Sequence, residues 1–241
     1  MNGTRDWIIP ENWANGVNTV EGSLPKRPTV SNNYKATVVP QYLRLIPAGS
    51  IFNSISYQFS TSWRHTDRPR PLVRYIYKIL SVNRASENAH RAYADRIENE
   101  QRLWHATVRR CQLGDDGQGL QLCADEQCSL CQIIRTSFKK KFSLDSGMFG
   151  KGIYVSSTSS KAAGYSQNSQ PSNYKAILLN NVVVGRAYET NEPMQGRTAP
   201  PAGYDSVCGL PGTALKFDET CVYDDDAIRP TYLILYDVGK P

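Results

Sequence analysis

The run Phe149-Gly150-Lys151-Gly152-Ile153-Tyr154, followed eleven residues later by Tyr165, restricts this chain more than any other segment. Two glycines let a backbone turn tightly and approach a ligand closely. Between the tyrosines lies Ser156-Ser157-Thr158-Ser159-Ser160-Lys161, the composition of a helix start. Tyr154 and Tyr165 on either side of that start can wall a slot for a flat ring. The slot gains meaning only from partners elsewhere in the chain.

The 241 residues suffice for one substantial domain with an extension. Apolar content of 40% with 10% aromatics marks a packed globular protein and excludes a wholly disordered one. No run approaches the ~18 consecutive apolar residues of a membrane-spanning helix. The opening Met1-Asn2-Gly3-Thr4-Arg5-Asp6 carries no apolar leader, so an intracellular location, nuclear or cytoplasmic, is expected, or a leader already removed. The net charge of +6 suits an anionic ligand and equally suits weak nucleic-acid attraction. The one tight basic run, Lys139-Lys140-Lys141, reads first as a solvated face.

Residues 1–54 are rich in Asn, Pro, Gly and Ser and read as an irregular arm before a domain over 55–241. Alternation predicts a strand over Leu72–Val82. The four-residue spacing of Ala89, Tyr93 and Ile97 predicts an amphipathic helix over Ser86–Asn99 with Ser86 as its N-cap. A short strand follows over Leu103–Val108, then a cysteine-rich stretch at 111–131 and a helix near Ile133–Phe138. Later strands are expected over Ala176–Val184, Thr220–Tyr223 and Tyr232–Tyr236. With no βαβ alternation and no Gly-rich first turn, a dinucleotide-binding doubly wound sheet is not expected. The pattern predicts an α+β fold of mixed and antiparallel sheets with few helices.

Three further segments complete the opening run. His105 stands in Trp104-His105-Ala106-Thr107 at a predicted strand end. Lys161 follows Ser159-Ser160, ahead of Tyr165. Glu219 precedes the apolar Cys221-Val222-Tyr223. In this order the chain resembles the poly(ADP-ribose) polymerase catalytic domain, a diphtheria-toxin-like ADP-ribosyltransferase fold. The segments Pro200–Gly209 and Arg229–Tyr236 are most similar to the tankyrase branch. The resemblance runs over roughly residues 55–239.

That resemblance implies an NAD-dependent ADP-ribosyltransferase acting on a protein or nucleic-acid acceptor, with His105, Tyr154 and Glu219 as its triad. It implies an NAD site formed by His105, Ala106, Thr107, Tyr154, Lys161, Ala162 and Tyr165, with Tyr165 stacked on the nicotinamide. Cleavage of NAD releases nicotinamide as a neutral molecule, so no acid need protonate it. The demand falls on the ribose, which develops oxocarbenium character. A preorganised carboxylate near its 2′-hydroxyl meets that demand, and Glu219 is the candidate. The loop Lys139–Gly147 is expected over the donor site, with Lys140 or Lys141 meeting pyrophosphate. A weak NAD- or ADP-ribose-binding module and an NAD glycohydrolase remain alternatives. The helical domain that precedes this fold in DNA-activated members is not implied.

Two pocket positions depart from the family pattern. Ala106 replaces a glycine, and would be strained by about 1–2 kcal/mol if the position needs positive φ. Ala162 replaces a serine whose hydroxyl grips the carboxamide, a loss of about 0.5–1.5 kcal/mol. Both changes predict weakened NAD binding.

Cys111, Cys123, Cys128 and Cys131, ending in a Cys-x-x-Cys pair, have the residue types and spacing of a structural zinc site, with reduced loop thiols as the alternative. The cluster is expected to staple an insertion. Cys208 and Cys221 are expected to be free.

Overall fold

The computed structural model describes residues 41–67, 69–80, 83–117 and 120–237, and all statements below concern these. Most of the expected N-terminal arm, residues 1–40, lies outside them. In chain order the elements are β1 (Leu43–Leu45), α1 (Ser50–Thr61), β2 (Val73–Ile79), α2 (Arg84–Ile97), β3 (Glu100–His105) and β4 (Val108–Arg109). Then come α3 (Ser129–Thr136), β5 (Ile153–Val155), α4 (Ser159–Ala163), β6 (Gln167–Asn168) and β7 (Tyr174–Val183). The chain ends with β8 (Ala187–Thr190), β9 (Ser206–Gly209), β10 (Glu219–Val222) and β11 (Ile228–Asp237).

A five-stranded sheet runs in the order β1-β2-β11-β7-β3, every pairing antiparallel. A second, four-stranded sheet runs β5-β10-β9-β8, antiparallel except between β9 and β8. β4 and β6 form a small parallel pair. This is the expected α+β class. The two larger sheets meet at their edges, where Trp104 of β3 bridges Ser156 just beyond β5 through paired backbone hydrogen bonds of 2.8 and 3.0 Å.

Strand alternation sorts the first sheet's residues to two faces. Ile76, Trp104, Ile177, Leu179 and Ile234 pack with Ile55 and Phe59 of α1 and with Ala162 and Ala163 of α4. Tyr77, Leu103, Leu178, Leu233 and Leu235 point the other way, onto Leu130, Cys131 and Ile134 of α3. Phe149, Val207, Leu215, Cys221 and Tyr223 fill a third cluster under the second sheet.

Several boundaries differ from expectation, each for a physical reason. The boundary placed after residue 54 falls inside α1, and β1 already pairs with β2, so the packed body starts earlier. α1 escapes a propensity reading because it is rich in Ser, Ile and aromatics, yet Ile55 and Phe59 share one buried face. Asn83, not Ser86, caps α2, its side chain accepting from the N–H groups of Ala85 (3.0 Å) and Ser86 (3.2 Å). The expected strand Leu103–Val108 is interrupted, because Ala106 and Thr107 between β3 and β4 take part in neither strand pairing. α3 starts at the Cys-x-x-Cys pair rather than near Ile133. β11 begins at Ile228 and runs through Pro230, which lacks an N–H; the register shifts between Pro230 and Tyr232.

Arg109 of β4 is fully buried. Its guanidinium donates to Asp115 (2.6 Å), to the carbonyls of Leu113 (3.2 Å) and Tyr174 (2.7 Å), to Ser172 Oγ (2.8 Å) and to Asn168 Oδ1 (3.2 Å). A buried cation is tolerated only with such full pairing.

Candidate functional site

A cavity of about 900 Å³ opens at the seam between the sheets. His105, Ala106, Thr107, Tyr154, Lys161, Ala162, Tyr165 and Glu219 all line it, so residues distant in sequence share one cavity.

The glycines of the opening run do the positioning. Gly150 has φ +80, and a Cβ there would collide with the backbone of Arg197. A Cβ on Gly152 would collide with Cys221 Sγ, because β5 lies tight against β10. The turn they form holds Tyr154: its hydroxyl donates to Gly150 O (2.7 Å) and accepts from Phe149 N (2.9 Å). Its ring stacks on Phe149 at an interplanar angle of 15°. Tyr154 is therefore a fixed wall. Tyr165, 57% exposed, is an open one at the mouth.

His105 ends β3. Its Nδ1 lies 2.8 Å from the carbonyl oxygen of Tyr154, so Nδ1 carries the hydrogen and donates. Burial pushes its pKa below the ordinary histidine value, partly offset by that hydrogen bond. The ring stays neutral at pH 7, leaving Nε2 as an acceptor. Phe138 buttresses it edge-on at 5.0 Å.

Glu219 begins β10 and is 8% exposed. Burial raises its pKa above the usual carboxylate range, while Lys161 Nζ, 3.5 Å away, pulls it back down. Residue types alone gave no hint of the device that holds it. The neighbouring Asp218 carboxylate accepts from Ser157 N (2.6 Å), Ser157 Oγ (2.9 Å), Thr158 Oγ1 (2.8 Å) and Ser156 Oγ (3.2 Å). This clasp ties the start of β10 to the turn between β5 and α4, the two elements that carry Tyr154 and Lys161. An acid beside a strand carries no sequence signal for such a task.

Ala106 is not among the residues with positive φ, so its methyl costs no backbone strain and that part of the expected weakening falls away. Ala162 is buried, lines the cavity and supplies no hydroxyl. Of the basic run, Lys139 lines the cavity, paired with Asp225 at 3.2 Å. Lys140 and Lys141, expected there, point elsewhere: Lys140 Nζ donates to Thr198 O, and Lys141 covers the Phe142 ring.

On the far side of one cavity wall the four cysteines converge, their Sγ atoms all within 4.8 Å of one another. Cys111 Sγ is 3.9 Å from Cys128 Sγ and 3.7 Å from Cys131 Sγ. A tetrahedron with Zn–S bonds of about 2.3 Å has edges of about 3.8 Å. A disulfide needs about 2.05 Å, so these thiols are unbridged and sized for a metal. Hydrogen bonds from Cys111 and Cys131 hold the Cys128 thiol well below its usual range. The N–H of Arg110 also donates to its sulfur at 3.3 Å. Cys208 and Cys221 are likewise unbridged.

Residues 56–231 match the family model for the poly(ADP-ribose) polymerase catalytic domain. The chain belongs to this family. Among its relatives, chicken poly [ADP-ribose] polymerase 1 is 26% identical over 186 residues, covering 66% of this chain and 17% of the relative. Human poly [ADP-ribose] polymerase 2 is 23% identical over 239 residues, covering 86% and 35%. Human protein mono-ADP-ribosyltransferase PARP4 is 30% identical over 99 residues, covering 39% and 6%. The chain thus spans a minor part of the length of these relatives. No helix among the described residues is long and apolar enough to cross a membrane.

Proposed function

We propose that this chain is an NAD-dependent ADP-ribosyltransferase that breaks the nicotinamide–ribose bond and passes ADP-ribose to a protein or nucleic-acid acceptor. The observation that carries this reading is a buried carboxylate, Glu219, paired with Lys161 in the wall of a cavity that also presents Tyr154, Tyr165 and a neutral His105. Nicotinamide departs with the C1′–N bonding electrons and becomes neutral, so no general acid is required. Positive charge grows on the ribose, where a Glu219 carboxylate accepting from the 2′-hydroxyl stabilises it. The acceptor atom then bonds to C1′ and releases its proton, for which Glu219 is the nearby base. His105 Nε2, with no hydrogen of its own, accepts from the adenosine ribose. Tyr154 and Tyr165 sandwich the nicotinamide. The triad is His105, Tyr154 and Glu219.

Pro200–Gly209 and the ending Arg229–Tyr236 favour a place near the tankyrase branch. The size of the thiol cluster favours zinc at Cys111, Cys123, Cys128 and Cys131. The domain reading is a catalytic domain with a cysteine-rich insertion at 111–131, working inside the cell in nucleus or cytoplasm. One observation favours a second reading: Ala162 offers the carboxamide no hydroxyl, as in a weak NAD- or ADP-ribose-binding module. Incubation with adenylate-labelled NAD separates the cases. Label on a macromolecule supports transfer; free ADP-ribose with nicotinamide indicates a glycohydrolase; neither product leaves only the binding module.

A further inference from the structure

The four-cysteine centre and the cavity share one helix. Cys128 immediately precedes α3 and Cys131 lies in its first turn, both fully buried. At 100° per residue, Leu130, Cys131 and Ile134 form one face of α3, and that face is buried. Ser129, Gln132, Ile133 and Thr136 form the opposite face and line the cavity. The remaining ligands tie that helix to its surroundings. Cys111 lies two residues beyond β4, on the segment leaving His105. Cys123 accepts a 2.7 Å hydrogen bond at its carbonyl from Arg135 of α3.

α3 is eight residues long and no side chain caps its N-terminus. Its buried face of Leu130, Cys131 and Ile134 packs on the first sheet, and two of the four thiols lie at its start. Isolated helices below about 12–15 residues are marginal in water, so tertiary anchors decide its position. Four thiolates on one divalent ion would join its first turn to the segment after β4 and to the Cys123 loop. Tyr154 and Glu219 sit on the second sheet and have anchors of their own. Its cluster of Phe149, Val207, Leu215, Cys221 and Tyr223 includes none of the four ligands, and Asp218 ties β10 to the turn after β5. Ile153, Val155 and Val222 of these strands also reach the core that holds Cys128 and Cys131.

We infer that zinc bound by Cys111, Cys123, Cys128 and Cys131 fixes α3 as a wall of the cavity, so that NAD affinity depends on an ion outside the bond-breaking site. This rests on reading the cavity as the NAD site. Losing the ion frees one wall while leaving Glu219, Tyr154 and Lys161 in register, so KM for NAD rises and kcat holds. A metal that merely supported global folding would move both together.

The test uses the full chain purified under reducing conditions. Metal is counted, then removed by chelation, and NAD binding and transfer are followed together with circular dichroism. Cys123→Ser, which leaves three thiolates on a half-buried loop site, is run in parallel. We expect about one zinc per chain and a KM rise of about tenfold or more in the chelated protein and in the variant. kcat at saturating NAD should stay within about threefold, and added Zn²⁺ should restore the chelated protein. Substoichiometric metal overturns the inference, as does a chelated, folded protein with unchanged KM; transfer by the metal-loaded chain still stands in either case. If chelation unfolds the chain and Cys123→Ser alters kcat and KM together, the local role is overturned. Zinc-loaded protein that neither binds nor cleaves NAD overturns the reading of the cavity itself, and the inference with it.

Discussion

Lys161 Nζ stands 3.5 Å from Glu219 Oε1 in the wall of the cavity, so the ammonium acts directly on the carboxylate proposed to meet the reacting ribose. Burial raises the Glu219 pKa and the lysine opposes the rise. The acid limb of the transfer rate against pH should therefore lie above the ordinary glutamate value of about 4.3. Lys161→Met should move that limb to still higher pH. A limb that stays fixed in the variant would remove Glu219 from control of the rate.

The same shift makes a stability prediction of definite sign. Glu219 has a folded-state pKa above its unfolded one. Its contribution is thus fully present below the unfolded value and lost as pH rises through the folded value. Towards neutral pH the fold loses this contribution, so Glu219→Gln should raise Tm at about pH 7.5. At pH 4 the two proteins should melt together. Equal melting at both pH values would mean that burial does not perturb this group.

Asp218 binds three consecutive residues of the turn between β5 and α4. Asp218→Ala strands several of those donors and should cost about 2–3 kcal/mol of stability. Because the clasp aligns Glu219 with Tyr154 and Lys161, kcat should also fall by about tenfold or more, with KM for NAD changing less. Thermal melts and steady-state kinetics check both parts. Unchanged kcat in a folded Asp218→Ala protein would make the clasp purely structural.

Ala162→Ser restores a hydroxyl at a buried position on the cavity wall. One net hydrogen bond is worth about 0.5–1.5 kcal/mol, so KM for NAD should fall by about two- to tenfold. Ala106→Gly should bring no such gain, because Ala106 does not need positive φ. Titration of NAD into each variant distinguishes the two positions.

What could be read from sequence, and what could not, divides along physical lines. The strands around Ile76, Ile177 and Ile234 were legible because one apolar residue in two faces each core layer. The period of Ala89, Tyr93 and Ile97 gave α2, but its start was misread because both Asn83 and Ser86 are cap residues. Only the extended backbone at Asn83 decides between them. α3 was partly hidden because Cys128 and Cys131 read as loop ligands rather than as part of a buried helical face. Tyr154 is 49 residues from His105, and Glu219 lies farther still along the chain, so nothing local links them. Their meeting arises from the Trp104–Ser156 bridge between sheet edges and the pairing of β5 with β10. Asp218 was missed for the same reason, since its partners lie about sixty residues away in sequence.

The central claim is that Glu219 acts on the ribose of NAD. Its most direct test is the single-turnover rate of nicotinamide release for the unaltered chain and for Glu219→Gln, with NAD affinity measured alongside. Removing one preorganised charge-stabilising group should slow release by about 10²–10³-fold while NAD affinity changes little. Release at an unchanged rate in Glu219→Gln, at equal occupancy of NAD, would contradict the account.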